Sequence, residues 1–532
     1  MTTTKQARNA IPIDEFLLGT PKVPRLLRAD SYTIGTGPHA SNDAKYKSVY
    51  QITPRRGFSK YLPKEFMADD RIAFAGLRRI LRDLLHEPVT MHEIEETDRF
   101  MATAHAGGTA HQFDRDLWVR VVNERNGIVP VKIEAFCEGV TSFGYEPTVQ
   151  ITSAEGFGEL AGYFESKLLH IWASSERATS LKWAQEYLKR GAKEAHPSWS
   201  DEQVNFAASI MTHDFGDRAG ICSMESEVMG MAHILVAPGS DTFCAGYLDW
   251  KENGEVPRMA SLHALAHRTV MGYMRENDCH AALYRLGKTT GITAHVSDTY
   301  DYFRQVEWYG KMLTSEWSED ENVLVARPDS GDIVKCVLHV LKVCEKYNLY
   351  EVDPDSGLKM ATRLRWIGSD SVTWDIMIQV IHAVIAAGWS PFASGAFGMG
   401  GHLRNSISRD HSGTSMKLCA VGNGDRPTVK KSQDAAKSSI PSVVKVIDNG
   451  NNSDVSTVYG VNEQCTGENL LKVWFDGINA NDLAYAFRAP ALETSSVVRE
   501  RITNDFFRRA APNAVLSDNL RGLRMQLFDE NV

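Results

Sequence analysis

Four aspartates occupy the same place in four copies of one local pattern, where an apolar run gives way to a small residue, an acid and then a helix-like stretch. The runs are ILVAPGSD ending at Asp241, AHVSD at Asp298, VLVARPD at Asp329 and RWIGSD at Asp370. A fifth run, WSPFASGAFGMGG, ends on Gly400 and Gly401 instead. Carboxylates brought to one mouth supply the oxygen acceptors that a sugar diol, an amide donor and a magnesium ion require. Positive charge arrives separately, with Arg327 directly before Pro328-Asp329 and with Arg404, Arg409 and Lys417 after the glycines. Glycines that open a helix let backbone N–H groups approach a phosphate, which nearby Arg or Lys then neutralises. Upstream, HDFGDRAG places Phe215, a ring able to stack on a planar group, three residues before Arg218, a partner for an anion. Each feature also has a plain reading. Aspartate at a strand-to-helix junction caps the helix, glycines make tight turns, and Phe215 and Arg218 can be core and surface ion pair. Four acids at successive junctions are harder to explain that way.

Short apolar runs alternating with helical patterns imply parallel strands joined by crossover helices, with the acids at the carboxyl ends of the strands facing one mouth. The spacing predicts a helix after the turn at Ser330-Gly331-Asp332, with Ile333, Val334, Val337, Leu338 and Leu341 on one face. It predicts another from Val372 to Ala387, closed by Gly388 with Pro391 beyond. Residues from about 25 to 200 read as an α+β region, with a strand in Val129 to Val140 and an amphipathic helix in Ile72 to Glu87. A polar stretch from Lys189 to Gln203 marks a boundary, and the chain turns polar again after Ala420. The division expected is an N-terminal α+β domain (1–200), an α/β catalytic domain (201–420) and a C-terminal segment (421–532) with a basic loop. A second polar loop, NGNNSD, spans Asn449 to Asp454.

The 532 residues exceed what one core usually covers. A composition 43% apolar and 23% charged is that of a globular protein, and a net charge of -9 without a long basic run argues against nucleic acid as partner. The first residues lack the apolar core of a signal peptide, and no uncharged stretch is long enough to span a bilayer, so a cytoplasmic protein with no membrane partner is expected. Eight cysteines without a CxxC pair suggest neither zinc nor redox work. Cys336 and Cys344 fall on an apolar helical face as small hydrophobes.

Taken in order, Phe215 and Arg218 in HDFGDR, GSDT at Asp241, VSDTYD at Asp298, ARPDSGD at Asp329, GSDS at Asp370, FGMGG, SRD at Arg409 and Lys417 resemble the nicotinamide phosphoribosyltransferases. The likeness extends from ADSY (Ala29 to Tyr32) to the basic loop around Lys430 and Lys437, and is strongest from His213 to Lys417. The resemblance implies an α/β fold in which an incomplete (β/α) barrel packs with an α+β domain, the C-terminal segment packing back on the latter. It implies a homodimer with the active site at the dimer interface. The reaction implied is attack by the pyridine nitrogen of nicotinamide on the anomeric carbon of 5-phosphoribosyl 1-pyrophosphate, giving nicotinamide mononucleotide and pyrophosphate in NAD salvage.

Carried over by motif, Phe215 and Tyr32 of the partner subunit would sandwich the nicotinamide ring, Asp241 would accept from its carboxamide, and Arg327 would line the same pocket. Asp329 and Asp370 would hold the ribose hydroxyls with Asp298 nearby. Gly400, Gly401 and Arg409 would cradle the 5-phosphate, while Arg55, Arg218, Lys417, Lys430 and Lys437 would face pyrophosphate. Mg2+ would be held mainly by the donor, with no direct protein ligand assigned. His267 in ALAHRTV matches the histidine that takes a phosphoryl group from ATP, with His263 a neighbouring decoy; His267, Asp298 and Asp329 are the catalytic set. Ala266 stands where the family has glutamate, which puts ATP coupling in question. Thr33, Ala219 and Met399 also depart from the family pattern. If they reshape the phosphate end, the donor is larger, such as ADP-ribose pyrophosphate, and the product is NAD itself. A binding or regulatory homologue without catalysis is the third reading, against which the intact set of acids and cations speaks.

Overall fold

β-Branched residues that alternate between the two faces of a strand give the chain its first sheet. Strands β1 (Ser48–Thr53), β2 (Val131–Ala135) and β3 (Val149–Ser153) pair antiparallel, with Tyr50 opposite Ile151 and Ile133 opposite the same residue on the other side. The structure, a computed structural model, describes Ile11, Ile13 and residues 17–34, 40–104, 113–369, 371–422, 426–433, 437–448, 456–509 and 515–530. Asp370 and the loop from Asn449 to Asp454 lie outside the described residues.

The chain leaves this sheet through the long helix α1 (Ile171–Ala195) and then alternates strand and helix. Strand β4 (Thr212–Asp214) is followed by α2 (Ser223–Ile234) and α3 (Phe243–Glu252). Strand β5 (His263–Ala264) leads through α4 (His267–Met271) and α5 (Glu276–Thr290) to β6 (Ile292–Val296). Helix α6 (Tyr302–Leu313) connects to β7 (Val323–Arg327), α7 (Ile333–Lys346) to β8 (Leu364–Gly368), and α8 (Trp374–Ala386) to β9 (Gly395–Met399). The six strands form one sheet in the order β4-β9-β8-β7-β6-β5, and every pairing is parallel. Its open side is spanned by residues 238–241. Ser240 bridges Asp214 at the end of β4, Gly239 bridges Ala260 just before β5, and Ser240 N donates to Ala260 O at 3.0 Å. The sheet is therefore a curled half-barrel whose gap is stitched by two single bridges.

After α9 (Gly401–Asn405) and α10 (Arg409–Ser412), the chain returns to the first sheet. Strand β10 (Ser415–Val421) pairs with β1, β11 (Arg426–Pro427) pairs with β10, and β12 (Lys472–Asp476) pairs with β2. Val444–Asp448 and Thr457–Gly460 belong to a further four-stranded sheet. Two cores follow from this plan: one under the antiparallel sheet around Trp118, Ile133, Ile151 and Trp474, the other between the half-barrel and its helices around Tyr309, Leu324, Trp366 and Phe397. Among the described residues no helix is long and apolar enough to cross a membrane.

Two local expectations are corrected. The run from Ile72 to Glu87 is not one helix: Ile72–Ala73 is a strand, Gly76 sits at φ 98, and the helix covers Leu77–Leu85. The apolar run Ile234 to Ala237 is not a strand either. It finishes α2, with Leu235 N donating to Met231 O and Ala237 N to His233 O, until Pro238 ends the turn. Strands β4 and β5 carried no apolar run and were not foreseen.

Trp366 is fully buried, packs edge-on to Phe397 at 5.3 Å between ring centroids, and lies where a Cβ on Gly395 would fall 2.1 Å from its ring. Trp366→Ala removes that layer of the core and is expected to lower unfolding free energy by about 3–5 kcal/mol, read from the denaturant midpoint. A loss below about 1 kcal/mol would contradict the packing described.

Candidate active site

The aspartates that end the apolar runs are not the helix caps. Asp301 caps α6 by accepting from Arg304 N at 3.0 Å, Asp332 caps α7 by accepting from Lys335 N at 3.1 Å, and Thr373 caps α8. α3 begins after Thr242 with no side-chain cap. Capping duty thus falls to other residues: Asp298 and Asp329 are left just past the carboxyl ends of β6 and β7, where a parallel sheet gathers its loops, and Asp241 is left at the end of the bridging segment 238–241.

There they meet. Asp298 Oδ2 accepts from Asp329 N at 3.0 Å and from Ser330 Oγ at 2.5 Å. Asp329 Oδ1 accepts from Arg327 Nη1 at 3.3 Å and from Ser369 Oγ at 3.2 Å, while Arg327 Nη2 holds Leu265 O at 2.8 Å. His267, first residue of α4, places Nε2 3.3 Å from Asp329 Oδ2 and 3.7 Å from Asp298 Oδ1. Its Nδ1 lies 3.1 Å from Thr299 Oγ1. The group that orients the imidazole therefore comes from the loop after β6, not from position 266, where Ala266 is exposed at the start of α4. His263 sits exposed in β5.

On the side of β4, Asp241 Oδ1 receives two donors, His213 Nε2 at 3.1 Å and Ser261 Oγ at 2.6 Å. Oδ2 has no hydrogen-bond partner among the described residues. Partial burial opposes ionisation of this carboxyl, but His213, Ser261 and Arg327 outweigh it and hold Asp241 below the usual aspartate range. The Phe215 ring lies 4.9 Å from His213, centroid to centroid, over the inner wall formed by Ala294, Val325 and Ile367. It rests on the bare backbone of β9: a Cβ on Gly398 would fall 2.1 Å from Phe215 Cε2. Arg218 is exposed on the short turn that follows.

The expected cations form a second group. Arg55, Lys417 and Lys437 line one small pocket with Thr53 and Ser438. Burial and the nearby charges of Lys430, Arg55 and Arg409 push the Lys417 ammonium down, against the pull of Glu165. Tyr32, 65% exposed, feels Arg409 and Glu165 as well, and its hydroxyl donates to Asp30 Oδ2 at 3.3 Å. Gly400 and Gly401 open α9 beside Phe215, with Gly400 close to the Phe215 carbonyl. Arg404 is different: it is buried against Asp214 and does not reach the mouth. Met399 faces the core and Thr33 is buried, its hydroxyl donating to Asp30 O. Large apolar side chains stand exposed on α3 and after β5: Phe243, Tyr247, Met271 and Met274.

Residues that the sequence did not single out are His213, Ser261, Thr299 and Ser369. Each orients a group carried by a different segment of the chain, and no spacing rule marks it. Among the described residues no group of three or more His, Cys, Asp or Glu could hold a metal ion. Asp298 Oδ1 is a buried carboxylate oxygen without a hydrogen-bond partner among the described residues. One or two carboxylates fit a Mg2+ that brings most of its oxygen ligands with a phosphorylated substrate.

The sequence model of the nicotinate phosphoribosyltransferase (NAPRTase) family matches residues 210–463. A nicotinamide phosphoribosyltransferase from Xanthomonas campestris pv. campestris (strain 8004) is 30% identical over 359 residues, covering 66% of this chain and 74% of the relative. Crystal structures of human nicotinic acid phosphoribosyltransferase (TM-score 0.54, 16% identity, 94% of this chain and 99% of that one) and of nicotinate-nucleotide pyrophosphorylase from Pyrococcus furiosus (TM-score 0.54, 14% identity, 95% and 99%) share the fold.

Gly398→Ala displaces the Phe215 ring without altering charge. Binding of a planar pyridine ligand, followed by calorimetry, is expected to weaken about tenfold, the order of one stacked aromatic contact; unchanged affinity would remove Phe215 from the site.

Proposed function

Because this chain belongs to the nicotinate and nicotinamide phosphoribosyltransferase family, pentosyltransferases of NAD biosynthesis, we propose that it is a cytoplasmic salvage enzyme that joins nicotinamide to 5-phosphoribosyl 1-pyrophosphate. The observation that carries the choice of nicotinamide is the state of Asp241. Its carboxylate is ionised, fixed through Oδ1, and open at Oδ2. An acceptor-only oxygen in that position takes an N–H from a carboxamide and repels the carboxylate of nicotinic acid.

The chemistry asks for little else from the protein. The pyridine nitrogen has a free lone pair and needs no general base. As the bond from the anomeric carbon to the pyrophosphate oxygen breaks and the carbon–nitrogen bond forms, negative charge grows on the leaving diphosphate. Phe215 orients the ring, Asp329 and Asp370 take the ribose hydroxyls with Asp298 nearby, Gly400, Gly401 and Arg409 take the 5-phosphate, and Arg55, Arg218, Lys417, Lys430 and Lys437 neutralise the leaving group. Bound Mg2+ would add charge neutralisation at the diphosphate, and Asp298, whose Oδ1 has no hydrogen-bond partner among the described residues, would be the carboxylate to help hold it. In a homodimer, the exposed Tyr32 of the partner subunit would close over the ring, and the exposed apolar residues beside the mouth would be covered. His267, held by Thr299 between two acids, is the residue proposed to take the phosphoryl group of ATP.

Purified protein with nicotinamide or nicotinic acid and with 5-phosphoribosyl 1-pyrophosphate or ADP-ribose pyrophosphate, followed by product mass, tests the assignment. Nicotinamide mononucleotide is expected; NAD formed directly would identify the larger donor, and no product would favour a binding role. Asp241→Asn, whose amide can donate, is expected to shift preference about tenfold or more toward nicotinic acid, and unchanged relative rates would reject this role. His267→Ala is expected to abolish stimulation of turnover by ATP, and retained stimulation would contradict the assignment.

A further inference from the structure

Behind the mouth lies a buried charged cluster that no substrate role accounts for. Asp214, last residue of β4, and Arg404 of α9 are paired at 3.0 Å, and both side chains are fully buried. The Asp214 carboxylate serves several donors. Oδ1 accepts from Gly216 N at 2.8 Å and Arg404 Nη2 at 3.1 Å, and Oδ2 accepts from Arg404 Nη2 at 3.0 Å and Thr242 Oγ1 at 3.1 Å. Those donors belong to three separate segments: the turn that carries Phe215 and Arg218, the residue after Asp241, and the helix that follows Gly400-Gly401.

The backbone repeats the connection. Phe215 N donates to Met399 O at 2.9 Å, and Asp241 N donates to Asp214 O at 2.9 Å. Gly216 leaves room for the guanidinium, since a Cβ there would fall 2.6 Å from Arg404 Cζ. Arg177 of α1, fully buried, packs behind with Nη2 3.3 Å from His233 Nδ1. Burial opposes the charge on Asp214, but His233, Arg404 and Arg177 hold its carboxyl below the usual range. A carboxylate this enclosed is stable only while its donors stay in place, so the three segments move together or not at all.

We propose that Asp214 and Arg404 are positioning residues that lock the ring platform, the carboxamide acceptor and the donor-phosphate turn into one rigid unit. The inference rests on the function proposed above, because a nitrogen nucleophile must face the anomeric carbon to within a fraction of an ångström. It assigns a role to Arg404 that its place after the glycines had disguised.

Backbone amide exchange on the full-length protein without substrates gives a readout independent of activity. Arg404→Met, near in length and uncharged, is expected to speed exchange in α9 and also at residues 214–219, far away in sequence; a change confined to α9, or none, would overturn the proposal. Should that variant fail to fold, Thr242→Val removes one donor and no charge, and is expected to speed exchange at residues 214–219, with unchanged exchange there overturning the proposal. In steady-state assays with nicotinamide and 5-phosphoribosyl 1-pyrophosphate, Arg404→Met is expected to raise both KM values about tenfold and Arg404→Lys to recover part of the loss. A change in the donor constants alone would contradict the coupling. If the unaltered protein does not turn these substrates over, the proposed function fails, and the exchange measurement still decides the role of the pair.

Discussion

Everything at the mouth depends on six strands running the same way. Parallel strands joined by crossover helices deliver their carboxyl ends to one rim, and the bridges through Gly239 and Ser240 hold the curled sheet together where it would otherwise open. Asp241 from the stitched segment, His267 after β5, Asp298 after β6, Arg327 at the end of β7, Asp329 just beyond it and the glycines after β9 come to one rim for that reason. None is close to another in sequence except Arg327 and Asp329.

Rim position alone would not give chemistry, because residues at strand ends are ordinarily used to start helices. The separation of duties is what frees them. Asp301 and Asp332 take the caps, each three residues beyond the acid at the rim. A second layer of hydroxyls and imidazoles then sets the direction of each functional group: Ser261 and His213 for Asp241, Ser369 for Asp329, Thr299 for His267. Fixing one oxygen of a carboxylate while leaving the other open is how a side chain common at any surface becomes selective.

The legible part of the fold was the part with strong local signals. Strands β6 to β9 coincide with β-branched apolar runs or a glycine-rich run, and α7 and α8 with 3.6-residue periodicity bounded by Asp332, Thr373 and Gly388. Strands β4 and β5, Thr212–Asp214 and His263–Ala264, have no such signal, because two or three residues at the edges of a curled sheet are held by their neighbours and not by their own propensity. Ile234 to Ala237 misled because a short apolar run at a buried helix end looks like a strand. The acids at the rim were legible as a repeat. Arg404 and Arg409 could not be told apart in sequence, since what buries Arg404 is Asp214, on a strand laid down 190 residues earlier. Asp370 lies outside the described residues, and its place in the repeat is what supports its role.

On the function proposed, the open oxygen of Asp241 and the face of Phe215 define one seat for a pyridine carboxamide. A crystal structure of the protein with nicotinamide bound tests it most directly. The ring is expected parallel to Phe215 with the carboxamide nitrogen within about 3 Å of Asp241 Oδ2. A ring bound elsewhere, or an Asp241 turned so that both oxygens bond to protein donors, would contradict it.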